Sequence, residues 1–431
     1  MEDSASITIP TTAPRRKSFQ LGYQLYRALL FVWKFLAGIV LTQALVGSIL
    51  VIGWTYRAAQ RAVQKRWWKI SGATDACFCD FVQCSSFHRA LGGWPNWILE
   101  HNRAWASAHR VPGATKVGRI FKALFHSLWL NLKIGVQGIF NTWVLTMPGC
   151  VLMLFSWYAG WHNSFNKGYE QAIVGPLMGF GGIVLFIAAM YYVPMAQMRQ
   201  ASTGNWRAFY QFKLVWQLIR KKWLACFGLA VLFGTFSVPV TVLKTVPEFF
   251  IQMNPSLADR SPTELLDMAK NYYFYAAFVL FAAFVILRMF AARIYAASLL
   301  ENVQSGALTE DSLAENEWET LHRLDLLTVR PQPERHVLVR TVRWLGTRMG
   351  RATTGFALFL VWFSFIGQVY VSEFFMKSPM GRGWLNQPLV QLPWFNYIPS
   401  RLKEEAKENK ALPTARSEDQ RDDTSERRSV Q

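Results

Sequence analysis

The chain has 431 residues, 52% of them hydrophobic and 15% aromatic, and its 46 Lys and Arg against 27 Asp and Glu give a formal net charge of +19. Two or three soluble domains would fit this length, but apolar segments divide the remaining sequence into pieces too small for a large soluble domain. The basic residues stand beside these segments and among tryptophans, which favours anionic lipid headgroups over nucleic acid as their partner.

Six apolar segments of about 20 residues each follow one another along the chain, and Trp, Tyr, Lys or Arg borders each of them. Backbone groups inside a bilayer must be satisfied within the protein, so segments of this length without strict alternation are predicted to be helices. The predicted fold is therefore an all-α, polytopic helical membrane protein with about six transmembrane helices. The spans lie near 35–54, 139–161, 172–195, 224–243, 272–295 and 354–371.

The N-terminal residues 1–28 are predicted to be a flexible segment that precedes the first span. The apolar stretch that follows is longer than that of a signal peptide and ends without a small-residue cleavage site, so it is expected to be retained. Residues 21–54 could alternatively form a re-entrant or tilted hairpin, which Gly38 and Gly47 would permit. Such a hairpin would keep the basic N-terminus in the cytoplasm.

Lysine and arginine are distributed unevenly between the predicted loops. The 196–223 connection holds six and no acidic residue, whereas the 162–171 connection holds one. The positive-inside rule then predicts a membrane domain over 29–371 whose cytoplasmic loops are 55–138, 196–223 and 296–353. Beyond it, 372–399 is predicted to be an interfacial loop rich in Pro and Trp, and 400–431 a disordered charged tail.

Amphipathic helices are predicted in these loops. Asn205 is a plausible N-cap for a helix to Trp223 that rests in the membrane surface; the alternative is the cytoplasmic end of a continuous membrane helix. The residues predicted at the membrane interface are Trp67, Trp68, Trp216 and Trp223.

Two further helices are indicated by their sequence patterns. Ser261 to Glu264 forms a capping box with proline at the first helical position, which predicts a helix leading into the fifth span. Residues 309–327 are acidic and amphipathic and could pack against the basic stretch 335–351.

One cluster of possible metal ligands occurs. Cys77, Cys79, Cys84 and His88 bring three thiols and an imidazole within twelve residues, and such groups bind Zn²⁺ or iron–sulfur clusters. The C-x-C spacing differs from the usual pairs, however, and no second pair exists. The favoured alternative is loop cysteines that pack against neighbouring phenylalanines. Neither another cofactor nor a disulfide framework is predicted.

Arg288 is the best candidate for a buried functional charge, because it lies deeper in the fifth span than Arg293. It could contact an anion or a lipid phosphate, or extend toward the headgroups. No Asp or Glu can be placed at mid-depth, which weighs against a proton- or sodium-coupled transporter.

Small residues mark one face of the third span. Gly175, Gly179 and Gly182 would let another helix approach closely, so helix packing is the predicted role. A broken helix around a substrate site is the functional alternative.

The segment from Val193-Pro194-Met195-Ala196 through Arg199 and Gly204 to Phe209 resembles a pattern in bacterial polytopic membrane proteins of unknown function. There, a span ends in a Pro-x-Ala element, and a glycine-containing turn leads to an amphipathic helix. The resemblance covers about 50 residues, between 172 and 223, and implies no activity.

The absence of relay carboxylates and of recognisable catalytic motifs predicts a protein that is not an enzyme. The leading hypothesis is a structural, scaffold or assembly component that contacts membrane lipids and either partner proteins or further copies of itself. The alternatives are a permease or channel for a neutral or anionic solute and, on the cysteine cluster alone, a metal-dependent membrane enzyme or redox protein. The expected location is the bacterial inner membrane.

Metal analysis of the purified protein separates the two interpretations of the cysteine cluster. A closed structural site would be nearly full, whereas loop cysteines are expected to leave less than about one-tenth equivalent of Zn or Fe. A content near one equivalent that falls in Cys79→Ser, but not in Cys150→Ser, would instead establish the metal site.

Overall fold

The computed structural model describes residues 18–73, 78, 81, 116–156, 174–257, 260–328, 337–374, 405, 407 and 408. Within these ranges every regular element is helical. The α-helices are α1 (Ser18–Thr42), α2 (Leu45–Ile70), α3 (Lys116–Ser156), α4 (Val174–Thr203), α5 (Phe212–Lys221), α6 (Trp223–Met253), α7 (Pro262–Gln304), α8 (Glu315–Arg323) and α9 (Val337–Phe374). Short 3₁₀ turns cover Trp206–Tyr210, Pro255–Leu257 and Glu310–Ser312.

Three helices in the described part of the chain are long and apolar enough to cross a membrane, over Ile120–Met153, Leu177–Thr203 and Pro262–Gln304. Phe31–Thr42 and Trp223–Phe236 are apolar but shorter. With 41 and 43 residues, α3 and α7 are each about 60 Å long, twice the roughly 30 Å of a hydrocarbon layer. The helices therefore continue into the segments predicted as cytoplasmic loops, because a helix need not end where its apolar sequence ends.

The first predicted span, 35–54, is divided between two helices. α1 ends at Thr42 and α2 begins at Leu45, and the Ser48 hydroxyl donates to the Thr42 carbonyl over 3.2 Å. A Cβ on Gly47 would lie 2.0 Å from the Leu41 carbonyl oxygen, so only glycine allows this close turn. The break is compatible with the alternative of a hairpin over residues 21–54. α1 also packs on α7, where Gly38 faces the Phe281 ring.

Helices α3 and α4 approach each other through glycines. A Cβ on Gly182 would lie 2.8 Å from the Gly149 carbonyl oxygen, and one on Gly179 would lie 2.7 Å from Ser156 Oγ. Backbone therefore packs on backbone here, as the small residues of this span indicate. Gly175 belongs to α4, but its surroundings lie outside the part of the chain that the structure describes.

The chain between α4 and α6 turns in two short steps rather than one helix. The Asn205 side chain accepts from the Arg207 amide over 3.0 Å, so it caps the 3₁₀ turn Trp206–Tyr210. Gln211 separates that turn from α5, and Lys222 separates α5 from α6. The continuous helix from Asn205 to Trp223 is thus interrupted, although the predicted N-cap is present.

The Ser261 cap begins α7 as predicted, since its hydroxyl accepts from the Glu264 amide over 3.3 Å. The acidic segment after α7 forms a 3₁₀ turn and α8, and α8 packs on α4. α9, which contains most of the basic stretch 335–351, packs mainly against α6. The predicted acidic helix therefore finds its basic contact on α4.

The C-terminal half of α4 occupies the centre of the fold. Its residues 192–202 are all buried, and α2, α3, α7 and α8 contact the helix. α6 and α9 pack together beside this group, and α6 also contacts α7.

The structure bears on the predicted chain ends in part. α1 begins at Ser18, inside the segment 1–28 predicted to be flexible, and α9 continues to Phe374, past the start of the predicted loop 372–399. Residues 1–17, 375–399 and all of 400–431 except 405, 407 and 408 lie outside the described residues.

The contact between α3 and α4 is tested by adding a methyl group at a glycine. Gly182→Ala forces two backbones apart and should lower the free energy of unfolding by about 1–3 kcal/mol. Gly228→Ala is the matched control, because nothing lies within 4 Å of its added Cβ. That control should be neutral or stabilising by up to about 1 kcal/mol. Thermal unfolding in detergent measures both, and equal effects would contradict close α3–α4 packing.

Candidate functional site

Four polar side chains project from the buried end of α4: Gln197, Arg199, Gln200 and Ser202, all at most 3% exposed. Successive residues of an α-helix point about 100° apart. Gln197 and Gln200 therefore lie on one side of α4 and bond to α3, whereas Arg199 and Ser202 lie on another side and bond to Glu317. Together they define a polar hub that links α4 to the helices around it.

Gln197 connects α4 to α3 and α7. Its amide nitrogen donates to Thr142 Oγ1 over 2.9 Å, and its amide oxygen accepts from Arg288 Nη1 over 2.7 Å. The Arg288 guanidinium lies 5.3 Å from the Tyr56 ring centroid and 5.0 Å from that of Phe284. These aromatic faces stabilise the cation, which makes no ion pair within the described residues.

The sequence singled out Arg288 as a possible buried functional charge, and the structure buries it, at 1% exposure. It does not extend outward, whereas Arg293 on the same helix is exposed. Its Nε has no hydrogen-bond partner among the described residues. A role for Arg288 in binding a solute or lipid remains a prediction.

Arg199 forms a buried ion pair with Glu317 of α8. The same carboxylate accepts from Ser202 Oγ over 2.6 Å, from the Tyr295 hydroxyl over 2.8 Å and from the Ala314 amide over 3.3 Å. Glu317 thus holds α4, α7 and the start of α8 together. A buried charge of this kind is tolerated only when it is both paired and hydrogen-bonded.

The remaining donors of Arg199 bind two connecting segments, one just before α5 and one before α8. Nε donates to Gln211 Oε1 over 2.9 Å and Nη2 donates to the Ser312 carbonyl over 3.0 Å. The Ser202 carbonyl accepts from Asn316 and, over 3.2 Å, from Gln60 of α2. We call Arg199, Ser202, Tyr295 and Glu317 the ion-pair cluster.

Asn141 of α3 is held at the corner before α5. Its amide nitrogen donates to Gln200 Oε1 and to the Trp206 carbonyl, each over 3.0 Å, and its oxygen accepts from the Tyr210 hydroxyl over 3.0 Å. Burial raises the pKa of the Tyr210 phenol, which therefore stays protonated as the donor near neutral pH.

A cleft of about 800 Å³ opens between α5 and the segment that leads into α8. Arg199 lies in its lining, together with the charged residues Lys213, Asp311 and Glu315. Its size suits a small-molecule or headgroup site. Because Arg288, Gln197 and Thr142 do not line it, the cleft is separate from the polar contacts deeper in the fold.

The four tryptophans predicted at the membrane interface occupy different environments. Trp67 is buried and donates to the Ala296 carbonyl over 2.9 Å, and Trp68 is half-buried against the Phe78 ring. Trp216 is 45% exposed and Trp223 is half-buried. A headgroup contact at any of them remains a prediction, and Trp67 acts within the fold as a hydrogen-bond donor to α7.

The predicted metal ligands Cys77, Cys79, Cys84 and His88 lie outside the described residues. The ion-pair cluster, in contrast, is not predicted as a site from the sequence: Arg199 is one of the six basic residues of the 196–223 connection and lies in the segment that carries the resemblance. A signal was present in the sequence. No glycine or proline lies between Met195 and Arg199, so the helix of the third span is expected to continue as far as Arg199. Glu317 is the third residue of α8.

Comparison with known proteins gives no match to a protein-family model, to a curated protein or to a solved structure. The resemblance carried by residues 193–209 therefore stays a prediction.

The ion-pair cluster is tested by removing one charge. Glu317→Gln leaves the Arg199 cation buried without its counter-ion, and the free energy of unfolding should fall by about 3–5 kcal/mol. Asp267→Asn is the matched control, because the Lys270–Asp267 pair is exposed and should contribute less than about 1 kcal/mol. Thermal unfolding of both variants in detergent measures the difference. A Glu317→Gln loss no larger than that of the control would contradict this role.

Proposed function

We propose that this chain is a multi-pass integral membrane protein of non-catalytic type, a scaffold or assembly component that contacts membrane lipids and partner proteins. We place about six spans near 35–54, 139–161, 172–195, 224–243, 272–295 and 354–371. The first of these is formed by the bent pair α1 and α2. The bacterial inner membrane is the proposed location, with the basic loops on its cytoplasmic side.

One observation carries this proposal: the buried arginines Arg199 and Arg288 make their contacts with other side chains and carbonyls of the protein interior. Arg199 donates hydrogen bonds to Glu317, Tyr295, Gln211 and the Ser312 carbonyl. Arg288 donates to Gln197 and lies against aromatic rings. Charges that serve transport face a water-filled path or a substrate site. Here the buried charges connect helices to one another. This supports a protein that acts through contacts at its outer surface.

That outer surface is strongly apolar. Large exposed side chains occur on several helices, among them Phe31, Phe125, Phe180, Tyr275 and Phe359. A soluble monomer rarely exposes apolar residues on this scale. Their position on the apolar helices supports contact with lipid.

A second kind of exposed face supports a protein partner. Val342, Leu345 and Met349 are 70%, 54% and 66% exposed on α9, and their spacing of three and four residues puts them on one side of the helix. They lie before the apolar part of α9, within the segment expected in the cytoplasm. An apolar helical face flanked by basic residues suits an acidic amphipathic partner helix.

The partner contact is tested by native mass spectrometry of the full chain, extracted in mild detergent at its natural expression level. A stoichiometric complex with another polypeptide, or with further copies of this chain, is expected. Val342→Glu with Met349→Glu should reduce that complex about tenfold, because two carboxylates would be buried without partners. The double variant should keep the melting temperature of the unmodified protein.

Arg351→Glu is the matched control for charge, because it shifts the net charge equally from the opposite side of α9. It should retain the complex. A lone monomer in the unmodified protein, or equal loss in both variants, would contradict the scaffold proposal.

Solute flux in proteoliposomes tests the permease alternative. No uptake above protein-free vesicles is expected. A flux that Arg288→Gln abolishes and Arg293→Gln, at an exposed arginine of the same helix, retains would replace the scaffold proposal by a permease.

A further inference from the structure

The cleft between α5 and the segment entering α8 is lined by acidic and basic side chains that take no part in the ion pairs of the described residues. Lys213 belongs to the α5 wall, and Asp311 and Glu315 belong to the opposite wall. Among the described residues none of these three side chains forms an ion pair. Arg199 at the same cleft is different, since Glu317 already neutralises it.

Neutral donors and an aromatic side chain complete the lining. Asn205, Gln217 and Thr309 offer amide and hydroxyl groups, and Phe212 adds an apolar surface at α5. Phe212 is 52% exposed and stacks on the Tyr192 ring at 5.0 Å between centroids. The cleft therefore combines two separated charges with an apolar side.

The apolar side continues along α5. Trp216 follows Phe212 by one helical turn and is also exposed, and the Arg220 guanidinium lies 5.8 Å from its ring centroid. An exposed aromatic stripe with basic neighbours is typical of the boundary between headgroups and acyl chains. A ligand with a charged head in the cleft could lay an apolar tail on this stripe.

We propose that the cleft binds the zwitterionic headgroup of an aminophospholipid. The ammonium group contacts Asp311 and Glu315, the phosphate contacts Lys213 and the neutral donors, and the acyl region follows Phe212 and Trp216. This inference rests on the proposed function in placing the cleft at a membrane surface. It deepens that proposal by naming a lipid class.

The signs of the charges select this class against simpler ones. A purely anionic headgroup would face two carboxylates, and a purely cationic ligand would face Lys213. A zwitterion satisfies all three side chains at once. The general attraction of the basic surface for anionic lipids is a separate, less selective effect.

The test titrates the purified full chain in mild detergent with three probes and measures binding by native mass spectrometry. The probes are dihexanoyl phosphatidylethanolamine, dihexanoyl phosphatidylglycerol and soluble phosphoethanolamine. The unmodified protein should bind the ethanolamine lipid about tenfold more tightly than the glycerol lipid, as one extra charge-assisted hydrogen bond would give. Soluble phosphoethanolamine, without the apolar tail, should bind more weakly than the lipid.

Two variants assign the charges. Asp311→Asn with Glu315→Gln should abolish the preference for the ethanolamine lipid while binding of the glycerol lipid is kept or improved, a change of selectivity that misfolding cannot produce. Lys213→Gln should weaken both lipids. The matched controls are the double variant Asp267→Asn with Glu264→Gln and the single variant Lys270→Gln. These residues lie near the start of α7 and do not line the cleft, so the controls should change the affinity for neither lipid.

Equal affinities for the two lipids, or a preference that survives in the Asp311 and Glu315 double variant, would overturn the proposal. Soluble phosphoethanolamine that binds as tightly as the lipid would overturn the membrane source of the ligand. Binding is measured on the isolated chain, so loss of lipid selectivity leaves the scaffold proposal standing. Conversely, absence of a protein complex leaves the lipid result unaffected.

Discussion

The burial of one ion pair at the centre of the fold constrains the rest of this structure. Arg199 and Glu317 are each 1% exposed, and two isolated charges at such depth would be prohibitively unfavourable. Their cost is offset only because Ser202, Tyr295 and the Ala314 amide complete the shell around the carboxylate. The positions of α4, α7 and α8 are thereby coupled, since moving one of them would leave a charge or a hydroxyl unpaired.

The polar hub of α4, which contains Arg199, separates two regions that differ in packing and polarity. Toward the start of α4, contacts are close and apolar, and glycine allows α3 to approach backbone to backbone at Gly182. Beyond the ion pair, the chain breaks at Gln211 and Lys222 into short helical steps that border the cleft. A closely packed apolar region and a polar, open cleft therefore meet at Arg199. The proposed lipid contacts belong to the first region, and the proposed headgroup site belongs to the second.

Much of the helical architecture could be predicted from the sequence, because apolar length and capping chemistry are local properties. The cap at Ser261, the cap at Asn205 and the glycine face of α4 are all readable from adjacent residues. The break at Thr42 was allowed by Gly47 but not required by it. α3 and α7 are longer than the apolar spans predicted within them, since hydropathy indicates where the chain is apolar and not where its helix ends.

The sequence by itself determined that the chain is helical and apolar enough for a membrane, because backbone groups in an apolar surrounding have few other ways to be satisfied. It also determined the strongly basic charge and the candidates for close packing. Only the tertiary structure decided which charges are buried and with which partners. Glu317 and Arg199 are 118 residues apart in the chain. Such a pairing depends on how α4, α7 and α8 pack, which no local pattern specifies.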